Sequence, residues 1–180
     1  MFNKIGQIII LIFFSLLISV LQFSFISSLP GAFSQINLGV ILMIFILFFF
    51  RARSTIIFIF FFGFFMDIFS FQFFGFYLIT LGAVALIAYL ISKNWLTNKS
   101  LYSFGVLFLI STLVYNLIAA ILAFLTSDLQ SGFSVFNFSF WQALFYQLVW
   151  NILAAILFFN ILTLLAKRFK PFFLEKKGRI

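Results

Sequence analysis

Acid–base and nucleophilic chemistry has few candidates in this chain. There is no His and no Cys, and the acids are Asp67, Asp128 and Glu175. Without imidazole the commonest general base and metal ligand is missing. Without thiols there is no disulfide, no thiolate metal site and no thiol nucleophile. Ser and Thr hydroxyls are present, but no base stands out to activate them. Asp128 falls in a polar connection and Glu175 in a basic tail, so paired-carboxylate catalysis has almost nothing to use. The expectation is a protein that is not an enzyme and needs no cofactor or metal.

Asp67 is the exception, because it lies inside an apolar stretch. Fourteen residues separate it from Arg53, a helical rise of about 21 Å. The hydrocarbon core of a bilayer is about 30 Å thick. With Arg53 at one boundary, Asp67 stays several Å short of the other. An ionisable group at such depth is costly and marks a candidate functional site. It also sits near a helix C-terminus, the wrong end of the dipole for an acid. It therefore needs a partner, Ser70, Gln72 or an amide from another helix, or it stays protonated. Gly63 lies one turn earlier and lets a neighbouring helix approach. Gly75 opens the next helix, so Gly63, Asp67, Ser70 and Gly75 outline a tight hairpin for packing or partner binding.

The elements that position this hairpin follow from composition. The chain is 66% hydrophobic, where soluble domains run nearer 45–50%, so its solvent is lipid. Apolar runs near the length of about 20 residues that a crossing requires predict six transmembrane helices, at about 5–27, 33–50, 54–70, 75–92, 101–125 and 140–166. Residues 1–166 then form one compact all-α membrane bundle. Residues 167–180 form a basic tail. Every Lys and Arg falls at Lys4, at Arg51/Arg53, at Lys93/Lys99 or in the tail. The connections 27–36, 68–74 and 126–139 carry none. Positive loops stay in the cytoplasm, which predicts both termini inside. The net charge of +8 flanks membrane spans, so it points to anionic lipid and not to nucleic acid. Lys167, Arg168, Lys170, Lys176, Lys177 and Arg179 are the expected headgroup contacts. The 34 Phe residues suit lipid-facing positions as well as Leu does and are not read as a binding box.

One nine-residue pattern occurs twice. Val114-Tyr115-Asn116-Leu117-Ile118-Ala119-Ala120-Ile121-Leu122 matches Val149-Trp150-Asn151-Ile152-Leu153-Ala154-Ala155-Ile156-Leu157. Asn116 and Ala120 share a helix face, as do Asn151 and Ala155. Small residues permit close approach, and a buried amide seeks an interhelical partner. Tyr115, Asn116 and Asn151 are therefore expected to be intramembrane packing residues. Gly82, Ala85 and Ala88 suggest another small-residue face.

The pattern G-x-x-x-D-x-x-S…G after the third span, carried by Gly63, Asp67, Ser70 and Gly75, resembles the rod shape-determining MreD family. Tyr115-Asn116 midway along the fifth span, the length, the span count and the basic tail agree with it. Asn116 departs from the family, in which an acid is common there. The resemblance implies a non-enzymatic scaffold subunit of the bacterial cell-elongation complex in the cytoplasmic membrane, controlling shape and lateral peptidoglycan synthesis. Its implied partner is a single-span MreC-type protein. Through that protein it would reach an MreB-like filament, a RodA-like glycosyltransferase and a penicillin-binding transpeptidase. An alternative comes from the vitamin-binding S components of energy-coupling-factor transporters, six-helix proteins thought similar in fold. Asp67, Gln72, Asn137 and Trp141 would then line an outer pocket. The first helix lacks the Ala-x-x-x-Ala docking face of such proteins and has Gly6, Ser15, Ser19, Ser24 and Ser27 instead.

Overall fold

The computed structural model describes residues 4–50, 52–94, 101–126, 138–153 and 156–157. Helices α1 (Lys4–Val20), α2 (Leu38–Phe49), α3 (Ala52–Phe69), α4 (Phe76–Asn94) and α5 (Leu101–Thr126) are followed by α6 at 138–153. No strand occurs among the described residues. The short turn between α3 and α4 makes them a hairpin, so the start of α3 with Arg53 and the last turn of α4 with Lys93 lie at the same end. The tail cations, Arg51, Lys99, Asp128 and the end of the expected sixth span lie outside the described residues.

Among the described residues, four helical stretches are long and apolar enough to cross a membrane: Ile8–Ser28, Ala52–Phe69, Phe76–Asn94 and Tyr102–Thr126. Their outer faces carry Phe13, Ile56, Phe60, Leu86 and Ile121, each more than half exposed. Apolar surface this extensive is untenable in water and suits lipid. The chain is a multi-pass helical protein by this measure.

The expected second span, 33–50, is divided. α1 runs on through a π turn at Leu21–Phe25 and a 3-10 turn at Ile26–Ser28. Pro30 then forces an extended backbone, with Leu29 at ψ 143° as expected before proline. Gly31 adopts φ +63°, and a 3-10 turn spans Gly31–Gln35. α2 starts only after Asn37, whose Oδ1 accepts the Val40 amide at 3.1 Å. Its 12 residues rise about 18 Å, well short of a core of about 30 Å. The expected connection at 27–36, marked by Pro30 and Gly31, coincides with this break, and the helix after it starts five residues later than the sequence placed it.

α2 is the centre of the bundle. It touches α1, α3, α4 and α5, and eight of its twelve residues are buried. A helix apolar on all sides belongs in such a position. Phe58, Phe62, Phe104 and Phe108 complete the core, with Phe58 stacked on Phe62 at 5.5 Å between ring centroids. α1 packs on α3 through its serines. Ser15 and Ser19 are fully buried, and Ser19 Oγ donates to the Ser15 carbonyl at 2.7 Å, with the Phe62 carbonyl of α3 at 3.5 Å.

Candidate functional site: a capped hairpin and a polar cavity

Asp67 is 4% exposed, and its carboxylate reaches across the hairpin to the start of α4. Oδ1 accepts the Tyr77 amide at 2.8 Å, and Oδ2 accepts the Leu78 amide at 3.3 Å. The first amides of a helix have no partner within it, and a carboxylate there is favoured by the dipole. The acid that stands at the wrong end of α3 thus stands at the right end of α4. Gly63 makes the approach possible: a Cβ built there would lie 2.9 Å from Leu78 Cα. Gly75 turns the chain with φ +100°, a conformation that favours glycine. Ser70 closes α3 through its amide, donated to the Met66 carbonyl at 2.9 Å. Its hydroxyl is buried and without a partner. Ile68, Phe71 and Phe74 point outward from the same hairpin.

The break before α2 builds a second polar centre. Gln22 of the π turn brackets the break with both ends of its amide. Its Oε1 accepts the Leu38 amide at 2.8 Å, and its Nε2 donates to the Ile36 carbonyl at 3.0 Å. Asn151 of α6 is fully buried; its Oδ1 accepts the Asn37 amide at 3.4 Å and its Nδ2 donates to Thr112 Oγ1 at 3.2 Å. Asn116 Nδ2 donates to the Thr112 carbonyl at 2.8 Å and to Gln147 Oε1 at 2.6 Å. Tyr115 reaches the Asn37 side chain. Backbone freed in a membrane must be re-satisfied by side chains of neighbouring helices, and these amides do so.

Gln22, Asn37, Tyr115, Asn116 and Gln147 border a cavity of about 310 Å³. Ser27, Ser34 and Gln35 stand on the side of the break. Tyr77, Tyr115, Asn116 and Gln147 form the inner wall, with Phe62 as apolar floor. Gly39 lets that ring sit against the start of α2, since a Cβ there would land on the Phe62 ring. No lining residue is formally charged. The volume falls at the lower end of small-molecule pockets, about 300–1,000 Å³. The arrangement offers neutral donors and acceptors beside aromatic rings. No group of residues able to hold a metal ion occurs among the described residues.

The structure therefore separates the predicted residues. Gly63, Asp67, Ser70 and Gly75 make one hairpin. Tyr115, Asn116 and Asn151 belong to the network around the cavity. Tyr77 joins the two, with its amide on Asp67 and its ring on the cavity wall. Of the alternative pocket's residues, Asp67, Gln72 and Trp141 do not line this cavity. The Asp67 carboxylate faces α4, Gln72 and Trp141 are exposed away from the cavity, and Asn137 lies outside the described residues. Gln22, Asn37 and Gln147 were missed. Asn37 immediately before an apolar run is a helix-start signal, and Gln147 lies one turn from Asn151 on the same face. No protein-family model, curated protein or solved structure matches the chain.

Proposed function

We propose that the chain is a non-enzymatic membrane scaffold subunit of the MreD kind, working in a bacterial cell-elongation complex through an MreC-type partner. Both termini would be cytoplasmic. The observation that carries this is the hairpin. The four residues of the G-x-x-x-D-x-x-S…G pattern form one built unit: Gly63 sets the helix spacing, Asp67 caps α4, Gly75 makes the turn and Ser70 ends α3. The unit holds Phe71 and Phe74 outward, fully and two-thirds exposed. Rigid, exposed aromatic side chains are what a protein partner engages. Co-purification with an MreC-type protein, tested by pull-down from membranes, is the expected result. Phe71→Ser with Phe74→Ser should reduce it while the bundle stays folded. Complementation of a shape-defective deletion by a chain that captures no such partner would sink the proposal.

A second reading, an S-component-type binding protein, is favoured by the polar cavity at the broken helix. In transporters, discontinuous helices commonly line the substrate site. Binding of a vitamin to the purified chain, lost in Gln147→Leu, would select this reading over the scaffold. The first reading expects no such binding.

A further inference from the structure

A second depression lies on the lipid-facing side of α3 and α4, away from the polar cavity. It measures about 480 Å³ and is walled by Ile56 and Phe60 of α3 and by Leu78, Gly82, Leu86 and Tyr89 of α4. The end of α2 backs it through Leu47. Gly82 leaves it open, with no atom within 4 Å of the position a Cβ would take. From Leu78 to Tyr89 is eleven residues, about 16 Å of rise. That is half of a core about 30 Å thick, so the groove has the length of one leaflet.

Its charged end is equally specific. Arg53 precedes Ile56 by three residues and so continues the α3 wall. Lys93 follows Tyr89 by four and so continues the α4 wall. Both cations are exposed. The one acid of these helices, Asp67, is at the opposite end and is used on the α4 amides. Thr55 lies behind the wall, two residues from Arg53. Its buried hydroxyl has no partner.

We propose that this groove binds one anionic phospholipid, of the phosphatidylglycerol class, with an acyl chain along Gly82 and the phosphate between Arg53 and Lys93. Apolar walls of one-leaflet length fit the chain. Two cations, with no acid beside them among the described residues of α3 and α4, fit the phosphate. The inference is independent of both readings of function and of the basic tail. A cation near an anionic headgroup is worth roughly fivefold in affinity, so the pair gives a preference of about 25-fold over a zwitterionic lipid.

The test is native mass spectrometry of the full chain. It would be purified in mild detergent with equimolar phosphatidylglycerol and phosphatidylcholine of matched acyl chains. The wild-type chain should retain phosphatidylglycerol by the stated margin. Arg53→Gln with Lys93→Gln should bring the two lipids within about threefold of each other. Gly82→Leu, which fills open space and should leave the thermal unfolding midpoint near wild type, should lower retention of both. Equal retention of the two lipids by the wild-type chain would overturn the proposal. So would phosphatidylglycerol retention that neither variant changes, which would assign it to the tail. If Gly82→Leu instead removes a co-purifying protein or self-association and leaves lipid retention intact, the groove is a helix-docking face and the lipid site is refuted.

Discussion

The hairpin at Asp67 and the break at Asn37 lie at similar depth, each roughly 20 Å of helical rise from the end of the bundle that carries Arg53. Both solve the same problem, which is to start a helix inside a membrane. They solve it differently. At the hairpin one carboxylate takes two amides of α4, a glycine removes the space between the helices, and no lining of the polar cavity comes from Asp67 itself. At the break the amides of Gln22, Asn37 and Asn151 share the task, drawn from three distant parts of the chain, and a cavity remains beside them. An acid at this depth is tolerated when it is enclosed and both of its oxygens are used. Neutral amides can border open space at lower cost.

Substitutions at four positions probe this difference. Asp67→Leu strips both caps from α4 and should cost about 3 kcal/mol, because two buried amides lose their acceptors. Denaturation in detergent should show it, and Asp67→Asn should recover part. If Asp67→Leu unfolds like the wild-type chain, the carboxylate does not hold the hairpin. Gly63→Val forces α3 from the Leu78 backbone and should cost about 2 kcal/mol through overpacking; a midpoint unchanged in the same assay would contradict the close approach. Gln22→Leu removes both brackets of the break and should cost about 1.5 kcal/mol. Hydrogen exchange should quicken at the Leu38 amide and not at Tyr77. Exchange rising equally at both would mean that the two regions are one cooperative unit. Gln147→Leu removes a single interhelical bond and should cost about 0.6 kcal/mol, with its larger effect on any molecule that occupies the cavity. A loss as large as that of Asp67→Leu would make the cavity network structural and not a site.

Much of this arrangement is written locally. The apolar runs that became α3, α4 and α5 end within two residues of where hydropathy places them, because each helix satisfies its own backbone and needs only apolar side chains facing lipid. Gly63, Asp67, Ser70 and Gly75 stand within thirteen residues, so their spacing alone implies a hairpin. Asn116 and Asn151 stand out as amides repeated in apolar helices. Gln22 did not stand out, because nothing near it in the chain shows that residues 36–38 need its amide.

The sequence by itself determined the helical class and the long apolar runs suited to crossing a membrane. Those depend on composition and on order along the chain. Only the tertiary structure decided that α2 is a half-length helix in the centre, that Asp67 serves the helix after its own, and that an uncharged cavity and a cation-ended groove exist. The physical reason is reach. The Asn37–Asn151 bond joins residues 114 apart in sequence, and the groove joins stripes on two helices. A polar side chain in a membrane must find a partner, but which one depends on how the helices pack in three dimensions.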